Sequence, residues 1–353
     1  MSRRTASSVL ACALLVVLFG VAALLPVPYV TMSPGPTVDV LSETEGEEIV
    51  QIDGHEVYYK TDGRLELTTV SVTGPGQELS LAEAIVAWFD TTRAVYPRDV
   101  VYLPEQSEEE VRTESNVQMV SSQDSAIVVA LKELGFDPPS VTEVLAVSRG
   151  APAQGKLEAR DKIVEVNGTK ITDSASVTKA VQKVGVGGEA EFVVRRAGKT
   201  RTVSIETEAA KDDPERAIVG VVVGEGSAFP FDVSVNISDD IGGPSAGLIF
   251  SLAVYDTLTP GALTDGLNVA GTGTIAANGS VGPIGGIQQK IVAAADSGSD
   301  LFLVPPDNCG EALGSPHEDM RLVRTETMHD AVEAIEAWVE DPDATLPACK
   351  ASS

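Results

Sequence analysis

The sequence predicts a mixed α+β protein with a transmembrane helix at its N-terminus. An uninterrupted apolar run near the N-terminus predicts the helix, because its length matches the thickness of a bilayer. Short segments of alternating apolar and polar residues, such as residues 65–72, predict strands, and apolar runs that follow glycine-rich loops predict helices. Hydrophobic residues make up 43% of the 353 residues, so the chain can build packed cores.

The charge balance excludes one class of partner. The chain carries 52 acidic and 25 basic residues, for a formal net charge of −27. Nucleic-acid binding requires clustered Lys and Arg side chains at the phosphates, and the sequence has no such cluster. We therefore expect no nucleic-acid partner. The same charge disfavours binding of the folded part to anionic lipid.

Residues 1–30 predict a cytoplasmic tip followed by a transmembrane anchor. Arg3 and Arg4 precede the apolar run at residues 9–30, and no charged residue occurs between Arg4 and Asp39. Because flanking arginines stay on the cytoplasmic side, the rest of the chain is expected outside a cell membrane that it crosses once. The alternative is a cleaved signal peptide, but the run is followed by Pro26-Val27-Pro28, a poor cleavage site.

Residues 31–120 predict an extracytoplasmic, juxtamembrane β-rich segment. Strand-like alternation is bounded there by Gly63 and by Gly74-Pro75-Gly76, and Ser80 precedes a short helix-like run. The segment holds no recognisable chemical motif. We therefore expect a spacer or docking layer beside the membrane.

Residues 121–208 carry a recognisable set of motifs. A helix-like run at residues 121–134 is followed by a strand at 141–147, and Asn167-Gly168 predicts a tight turn. The order of motifs resembles the centre of a bacterial PDZ domain: Gly150-Ala151-Pro152-Ala153, then Leu157, Asp161 and Val166-Asn167-Gly168.

The PDZ resemblance implies recognition of peptide ends by strand addition. Two positions depart from the family. Arg160 stands where the family has a glycine, at a turn that favours positive φ. The carboxylate-binding loop is not obvious, and Leu134-Gly135-Phe136 is a weak candidate for it. The alternative is a PDZ-shaped spacer without a ligand.

A serine lies at the entry of a helix in the last third of the chain. The residues around Ser245 are Gly242-Gly243-Pro244-Ser245-Ala246-Gly247, and an apolar helix-like run follows them. Small neighbours allow a substrate backbone to approach, and free N–H groups at a helix start can stabilise an oxyanion. The alternative is a serine that only caps the helix.

A serine nucleophile needs a base, and Lys290 is the best candidate. The histidines, His55, His317 and His329, lie outside glycine-rich or apolar surroundings. Lys290 lies in the first turns of an apolar helix that begins after Gly285-Gly286. Burial and the positive end of that helix would lower the pKa of Lys290 towards neutrality, as a general base requires. The alternative is a surface lysine.

These motifs together resemble the proteolytic domain of the Lon family. The resemblance covers residues 217–338 and includes Pro244-Ser245-Ala246-Gly247, Thr272-Gly273, Gly279 and Pro283-Ile284-Gly285-Gly286 with Lys290. It implies that Ser245 is the nucleophile, that Lys290 is its general base, and that Thr272 lies beside them. Gly242 and Thr274 replace acidic residues that are common in the family.

The predicted fold class is therefore α+β, with an N-terminal transmembrane helix, a PDZ-like domain and a Lon-type α+β proteolytic domain. The predicted domains are residues 1–30, 31–120, 121–208 and 215–340, with a loose tail at 341–353. The phosphate-binding motif G-x-x-x-x-G-K-[ST] does not occur in the sequence. The order of parts resembles membrane-bound, ATP-independent PDZ–Lon proteins.

The predicted activity is an ATP-independent serine endopeptidase that cleaves loose or membrane-proximal protein segments outside the cytoplasmic membrane. We expect protein or peptide substrates selected by the PDZ-like domain, no metal, cofactor or ATP, and, from the family, a possible homo-oligomeric ring. The alternatives are a PDZ-based binding or scaffold protein with an inactive Lon-like domain, and an enzyme that processes a single substrate. Whether Cys309 and Cys349 form a disulfide stays open.

Overall fold

The structure is a computed structural model that describes residues 3–44, 46–59, 62–103, 106–196, 198–238, 240–317 and 319–350. Within these ranges the helices are, in chain order, α1 (Arg3–Ala23), α2 (Leu81–Phe89), α3 (Arg98–Val101), α4 (Glu108–Glu133), α5 (Ser174–Val184), α6 (Gly247–Leu258), α7 (Ile287–Ser297), α8 (Cys309–Ala312) and α9 (Met328–Glu340). A 3-10 turn at Pro306–Asn308 precedes α8.

The strands of the same ranges are β1 (Pro26–Val27), β2 (Tyr29–Asp39), β3 (Glu43–Thr44), β4 (Glu47–Glu48), β5 (Val50–Asp53), β6 (Arg64–Val72), β7 (Leu79–Ser80), β8 (Ala94–Pro97), β9 (Ser140–Val147), β10 (Lys162–Val166), β11 (Thr169–Lys170), β12 (Glu189–Arg196), β13 (Lys199–Glu206), β14 (Glu208–Ala210), β15 (Asp213–Ile218), β16 (Val221–Ser227), β17 (Asp232–Val235), β18 (Asn268–Gly271), β19 (Thr274–Ile275), β20 (Val281–Gly282), β21 (Leu301–Val304) and β22 (Arg321–Arg324).

The first sheet joins the two ends of the chain. In the described residues its strand order is β22-β21-β18-β6-β2-β8, so three strands from the first hundred residues pair with three from the last hundred. The strands β22, β21, β18 and β6 run parallel, whereas β2 and β8 each run antiparallel to their neighbours. The segment predicted as a spacer therefore supplies half of this sheet.

Helices cover both faces of the first sheet. On one face, α7 packs against β2 and β6, and Ile287 and Ile291 are buried with Phe302. On the other face, α6 packs against β6 and β18, and α4 packs on α6. A parallel sheet requires cover on both faces because its strands are apolar on both sides, as the fully buried β21 illustrates.

The second sheet lies between α4 and β17 in the chain. Its strand order is β13-β12-β10-β9-β16, with β11 paired to β10, in the described ranges. Asn167 and Gly168 have φ of 48° and 70° and form the predicted tight turn between β10 and β11. Arg160 has a φ of 69°, so the position where PDZ domains have glycine adopts the expected left-handed backbone here as well.

The candidate carboxylate-binding loop has a different role from the one predicted. Gly135, with a φ of 86°, follows the end of α4, and the Phe136 N–H donates to the Leu131 carbonyl at 2.9 Å. This bond is typical of a helix C-cap. The Phe136 ring packs edge-on against Phe231. The segment ends α4 and packs beside β17.

The predicted transmembrane helix is wrong. No helix in the described part of the chain combines the length and the apolar character needed to cross a bilayer. The helix α1 ends at Ala23, and the remainder of the apolar run enters β1 and β2, where Val30 is fully buried. At about 1.5 Å per residue, residues 9–23 span roughly 22 Å, less than the ~30 Å hydrocarbon core.

The predicted single-pass membrane location, with an extracytoplasmic catalytic domain, is corrected with it. That prediction required the transmembrane helix, because Arg3 and Arg4 indicate an orientation only for a chain that crosses a membrane. Met1 and Ser2 of the predicted cytoplasmic tip lie outside the described residues. The boundaries predicted for the other domains stay a prediction.

The segment after Pro342 is held to the first sheet rather than loose. Cys309 and Cys349 form a disulfide with a Cα–Cα distance of 5.0 Å, which answers the open question about their pairing. The Arg324 N–H donates to the Pro347 carbonyl at 2.8 Å. Residues 351–353 of the predicted tail lie outside the described residues.

Candidate active site

The nucleophile candidate Ser245 lies one residue before the N-cap of α6. Its side chain is half-buried, and Ala246 is the N-cap. Gly243 has a φ of 86°. A Cβ at Gly247 would lie 2.6 Å from Ile275 Cγ2 and 2.9 Å from its backbone N, so only glycine fits where the helix begins against β19. The small residues of this motif therefore set the path of the loop.

Two elements hold the loop around Ser245. From α4, the Ser122 hydroxyl donates to the Pro244 carbonyl at 3.0 Å, and the Ser115 carbonyl accepts from the Gly243 N–H at 3.1 Å. From the segment after β18, the Gly273 N–H donates to the Ser245 carbonyl at 2.9 Å. The peptide groups on both sides of the Ser245 Cα are thus anchored.

The base candidate Lys290 lies in the first turn of α7. Gly286, the N-cap of α7, has a φ of 70°, and a Cβ there would lie 2.8 Å from both Met32 Sδ and Val70 Cγ1. The helix therefore begins directly against β2 and β6. Lys290 is 2% exposed, among the largest buried side chains of the described chain.

The side-chain nitrogen of Lys290 contacts three oxygen atoms. Its Nζ lies 2.9 Å from Ser245 Oγ, 3.1 Å from Thr272 Oγ1 and 2.8 Å from the Thr68 carbonyl oxygen. The Thr272 hydroxyl donates its own hydrogen to the Ser245 carbonyl at 3.0 Å. The side chain thus extends from the α7 face of the sheet to the α6 face, at the carboxyl end of β18.

This arrangement suits an uncharged amine. A neutral amine has two N–H donors and one lone pair. The Thr68 carbonyl can only accept, and Thr272 Oγ1 accepts as well because its hydrogen is already donated. Both N–H groups are then used, which leaves the lone pair to accept from the Ser245 hydroxyl.

Burial also favours the uncharged form of Lys290, through the pKa of its amine. Desolvation lowers the pKa of Lys290 from 10.5 to about 7. A substantial fraction of the amine is therefore uncharged at neutral pH, as a general base requires.

The histidines make their contacts elsewhere. The His55 ring packs with Phe231, His317 contacts the Ser315 carbonyl, and His329 pairs with Glu133. None of the contacts found in the described residues joins a histidine to Ser245. The structure brings together Ser245, Thr272 and Lys290 as predicted, whereas their catalytic roles stay a prediction.

Two contributors to the site escaped sequence analysis. Thr68 lies in β6, within the segment to which we assigned no chemistry, and its contribution is a backbone carbonyl that has no sequence signal. Ser122 lies on α4, some 120 positions before the loop that it holds. In the sequence, Ser122 is only a polar residue near the start of the helix-like run at residues 121–134, a position that also fits a helix cap.

The contacts of Ser245, Thr272 and Lys290 are the arrangement that a serine peptidase would need. Comparison with known proteins gives the family of the chain. The family model described as Lon protease (S16) C-terminal proteolytic domain matches residues 153–337, more than half of the chain. The chain belongs to this family.

Individual relatives are Lon proteases. The chain is 29% identical to Lon protease from Clostridioides difficile over 183 residues. This match covers 50% of this chain and 23% of the relative. It is 37% identical over 95 residues to Lon protease from Phenylobacterium zucineum, covering 26% and 12%. The chain thus spans less than a quarter of the length of either relative.

Solved structures similar to this chain include PDZ domains. One, from an SdrC-like protein of Listeria monocytogenes, is 21% identical, covers 24% of this chain and 86% of that chain, and has a TM-score of 0.22. Its counterpart from Listeria innocua is 25% identical, covers 24% and 92%, and has the same TM-score. At these scores the neighbours carry no argument about what this chain binds.

Proposed function

We propose that this protein is a serine endopeptidase that uses a Ser245–Lys290 dyad to cleave loose protein segments without ATP. The observation that carries the proposal is the 2.9 Å contact between Lys290 Nζ and Ser245 Oγ, made where burial lowers the pKa of the amine to about 7. Membership of the Lon family supports the reaction class.

In the first half of the reaction, neutral Lys290 takes the proton of the Ser245 hydroxyl while Oγ attacks the carbonyl carbon of the substrate. The protonated amine keeps its bonds to Thr68 and Thr272. It then gives the proton to the leaving nitrogen as the peptide bond breaks, which yields an ester between substrate and Ser245.

In the second half, water attacks this ester, and Lys290 takes one of its protons. The bond between the acyl group and Oγ breaks, Ser245 regains a proton, and the new carboxylic acid leaves. The reaction ends with Ser245 and Lys290 in their starting protonation states and consumes only the peptide and water.

The oxyanion formed in both halves needs hydrogen-bond donors. In the described residues, the N–H groups of Ser245 and Ala246 have no acceptor, since they lie at the start of α6. They adjoin Oγ and are free to bind the negatively charged oxygen of a tetrahedral intermediate.

The proposed substrates are unstructured or loosely folded protein segments. These 353 residues contain no phosphate-binding loop that could drive ATP-dependent unfolding. The second sheet would select them by strand addition. Its strand order, the Asn167-Gly168 turn and the left-handed Arg160 support a PDZ-like unit.

Casein hydrolysis tests the proposed function. The full-length protein should cleave casein without ATP, and both Ser245→Ala and Lys290→Ala should lower the rate by at least about 1,000-fold. Thr69→Ala, in β6 beside Thr68, is the control. A protein that binds casein but does not cut it would support the scaffold alternative. Unchanged cleavage by Ser245→Ala would refute the dyad.

A further inference from the structure

The peptide group between Pro244 and Ser245 is held by one side chain of α4. The Ser122 hydroxyl, on a residue that is 6% exposed, donates to the Pro244 carbonyl at 3.0 Å. Pro244 has no N–H, so this carbonyl is the only backbone hydrogen-bonding group of the residue. Gly242 and Gly243 precede it and leave the loop wide conformational freedom.

A planar trans peptide links the carbonyl to the next N–H. The described residues contain no cis peptide, so the Pro244 C=O and the Ser245 N–H point in opposite directions. Because Ser122 draws the carbonyl towards α4, the Ser245 N–H points away from α4. Rotation of this peptide would turn the N–H away from the substrate oxygen.

The helix that carries Ser122 is itself fixed. The Gln123 side chain, also 6% exposed, donates to the Val235 carbonyl of β17 at 3.1 Å. On the loop side, a Cβ at Gly247 would lie 3.0 Å from Ser122 Oγ, so the hydroxyl packs directly on the start of α6. Ser122 therefore holds the loop from a rigid support.

We infer that Ser122 is a positioning residue, which aims the Ser245 N–H at the oxyanion of the tetrahedral intermediate by holding the Pro244 carbonyl. The inference rests on the proposed function, since it assigns an oxyanion donor to that reaction. Ser122 makes no contact with Lys290 among the described interactions, so its effect is separable from that of the base.

Kinetics of Ser122→Ala test the inference. Loss of a whole oxyanion donor costs about 100- to 1,000-fold in kcat, and misorientation of one should cost about 10- to 100-fold. We expect this loss in kcat with KM within about twofold and with the pH dependence of the rate unchanged. Ser122→Thr keeps the hydroxyl and should recover activity to within about threefold.

A transition-state analogue provides a readout that a structural role would not move. A peptide boronate, built on the residues that precede a casein cleavage site, forms a tetrahedral adduct with serine. Its inhibition constant should rise in Ser122→Ala by about the factor lost in kcat, because adduct and intermediate use the same donor.

Two serine-to-alanine variants serve as controls. Ser121→Ala changes the exposed neighbour on the same helix. Ser251→Ala removes another buried hydroxyl, which donates to the Leu248 carbonyl at 2.7 Å. Both should keep kcat and boronate inhibition within about twofold, although Ser251→Ala should lower the thermal midpoint about as much as Ser122→Ala does.

The outcomes are distinguishable. Parental kcat and parental boronate inhibition in Ser122→Ala would overturn the inference while leaving the dyad intact. Equal kcat losses in Ser122→Ala and Ser251→Ala would also overturn it, since they would indicate lost stability alone. Activity that survives Ser245→Ala would instead refute the proposed function.

Discussion

Lys290 is buried although its charged form would be expensive there. Its pKa falls from 10.5 to about 7, which corresponds to roughly 5 kcal/mol against the charged form. The contacts with Thr68, Thr272 and Ser245 provide hydrogen bonds but no opposite charge. The site therefore favours a neutral amine: burial lowers the stability of the folded protein, but it leaves the amine uncharged and able to accept a proton near neutral pH.

The pH dependence of activity follows from this pKa. Because only the neutral amine can accept the Ser245 proton, kcat/KM should rise with pH and level off above about 7. At pH 6 we expect a rate about tenfold below the plateau. Casein or peptide hydrolysis between pH 5.5 and 9 measures it, and a rate that does not depend on pH in this range would contradict the role of Lys290.

Lys290→Met should stabilise the protein while abolishing activity. The folded pKa lies below the unfolded value, so the unfolded state binds more protons between pH 7 and 10.5, and the cost of burying Lys290 is fully present below pH 7. We expect the free energy of unfolding at pH 6 to rise by roughly 2 to 5 kcal/mol. Denaturant unfolding measures this change, and a less stable variant would indicate a charged, paired lysine.

Thr272 should orient the amine. Thr272→Val removes the acceptor 3.1 Å from Nζ and the donor to the Ser245 carbonyl, so kcat should fall at least about tenfold. Thr274→Val, in the adjacent β19, removes a hydroxyl with no contact to Ser245 or Lys290 among the described interactions and should keep the parental rate. Equal rates in the two variants would argue against this role for Thr272.

The start of α7 positions the base at the level of a whole element. Lys290 is four residues after Gly286, and the Lys290 N–H donates to the Gly286 carbonyl at 3.1 Å. The position of Gly286 therefore determines the position of Lys290. A Cβ at Gly286 would lie 2.8 Å from Met32 Sδ and Val70 Cγ1, so the backbone at the start of α7 lies directly against these two side chains.

Adjacent glycines provide a matched test of this idea. In Gly286→Ala, the new Cβ would lie 2.8 Å from Met32 and Val70 in a backbone with positive φ, so these side chains or the start of α7 must shift. We expect at least about a 100-fold loss of kcat. Gly285→Ala meets no atom within 4 Å and should retain activity. The reverse order of rates would contradict the packing account.

Local motifs predicted the elements that carry Ser245 and Lys290, but not what surrounds them. Both residues follow glycine-rich loops that determine the helix starts within a few positions. By contrast, β6 pairs in parallel with β18 some 200 positions away, and pairing of that kind leaves no local pattern. The prediction from the N-terminal apolar run was wrong because hydropathy does not distinguish a membrane span from a run that is divided between a helix and the start of β2, where Val30 is buried.

For the molecule as a whole, a buried acidic pair lies between α4 and the second sheet. Asp124 of α4 and Glu143 of β9 are both buried, and in the described residues neither Glu143 oxygen has a hydrogen-bond partner. Burial, followed by the nearby Asp124, raises the pKa of Glu143 to about 7, while Arg160 and Lys162 oppose the shift. We therefore expect the contact between the second sheet and α4 to become less stable as the pH rises and Glu143 ionises.

Glu143→Gln should flatten this pH dependence. A folded pKa above the unfolded 4.5 gives stability that is present below pH 4.5 and lost as pH rises through about 7. The variant should therefore melt about 2 °C or more above the parent at pH 8 and near the parent at pH 5. Glu191→Gln, exposed on β12, is the control. If the melting temperatures of Glu143→Gln and the parent change with pH by the same amount, the account of a buried acid at position 143 is refuted.

The central claim is that Ser245 forms a covalent bond to the substrate with the help of Lys290. Mass spectrometric mapping of the boronate or acyl adduct tests it most directly. The account predicts an adduct on Ser245 alone, formed at least about 100-fold more slowly in Lys290→Ala. An adduct on another residue, or an unchanged rate without Lys290, would contradict it.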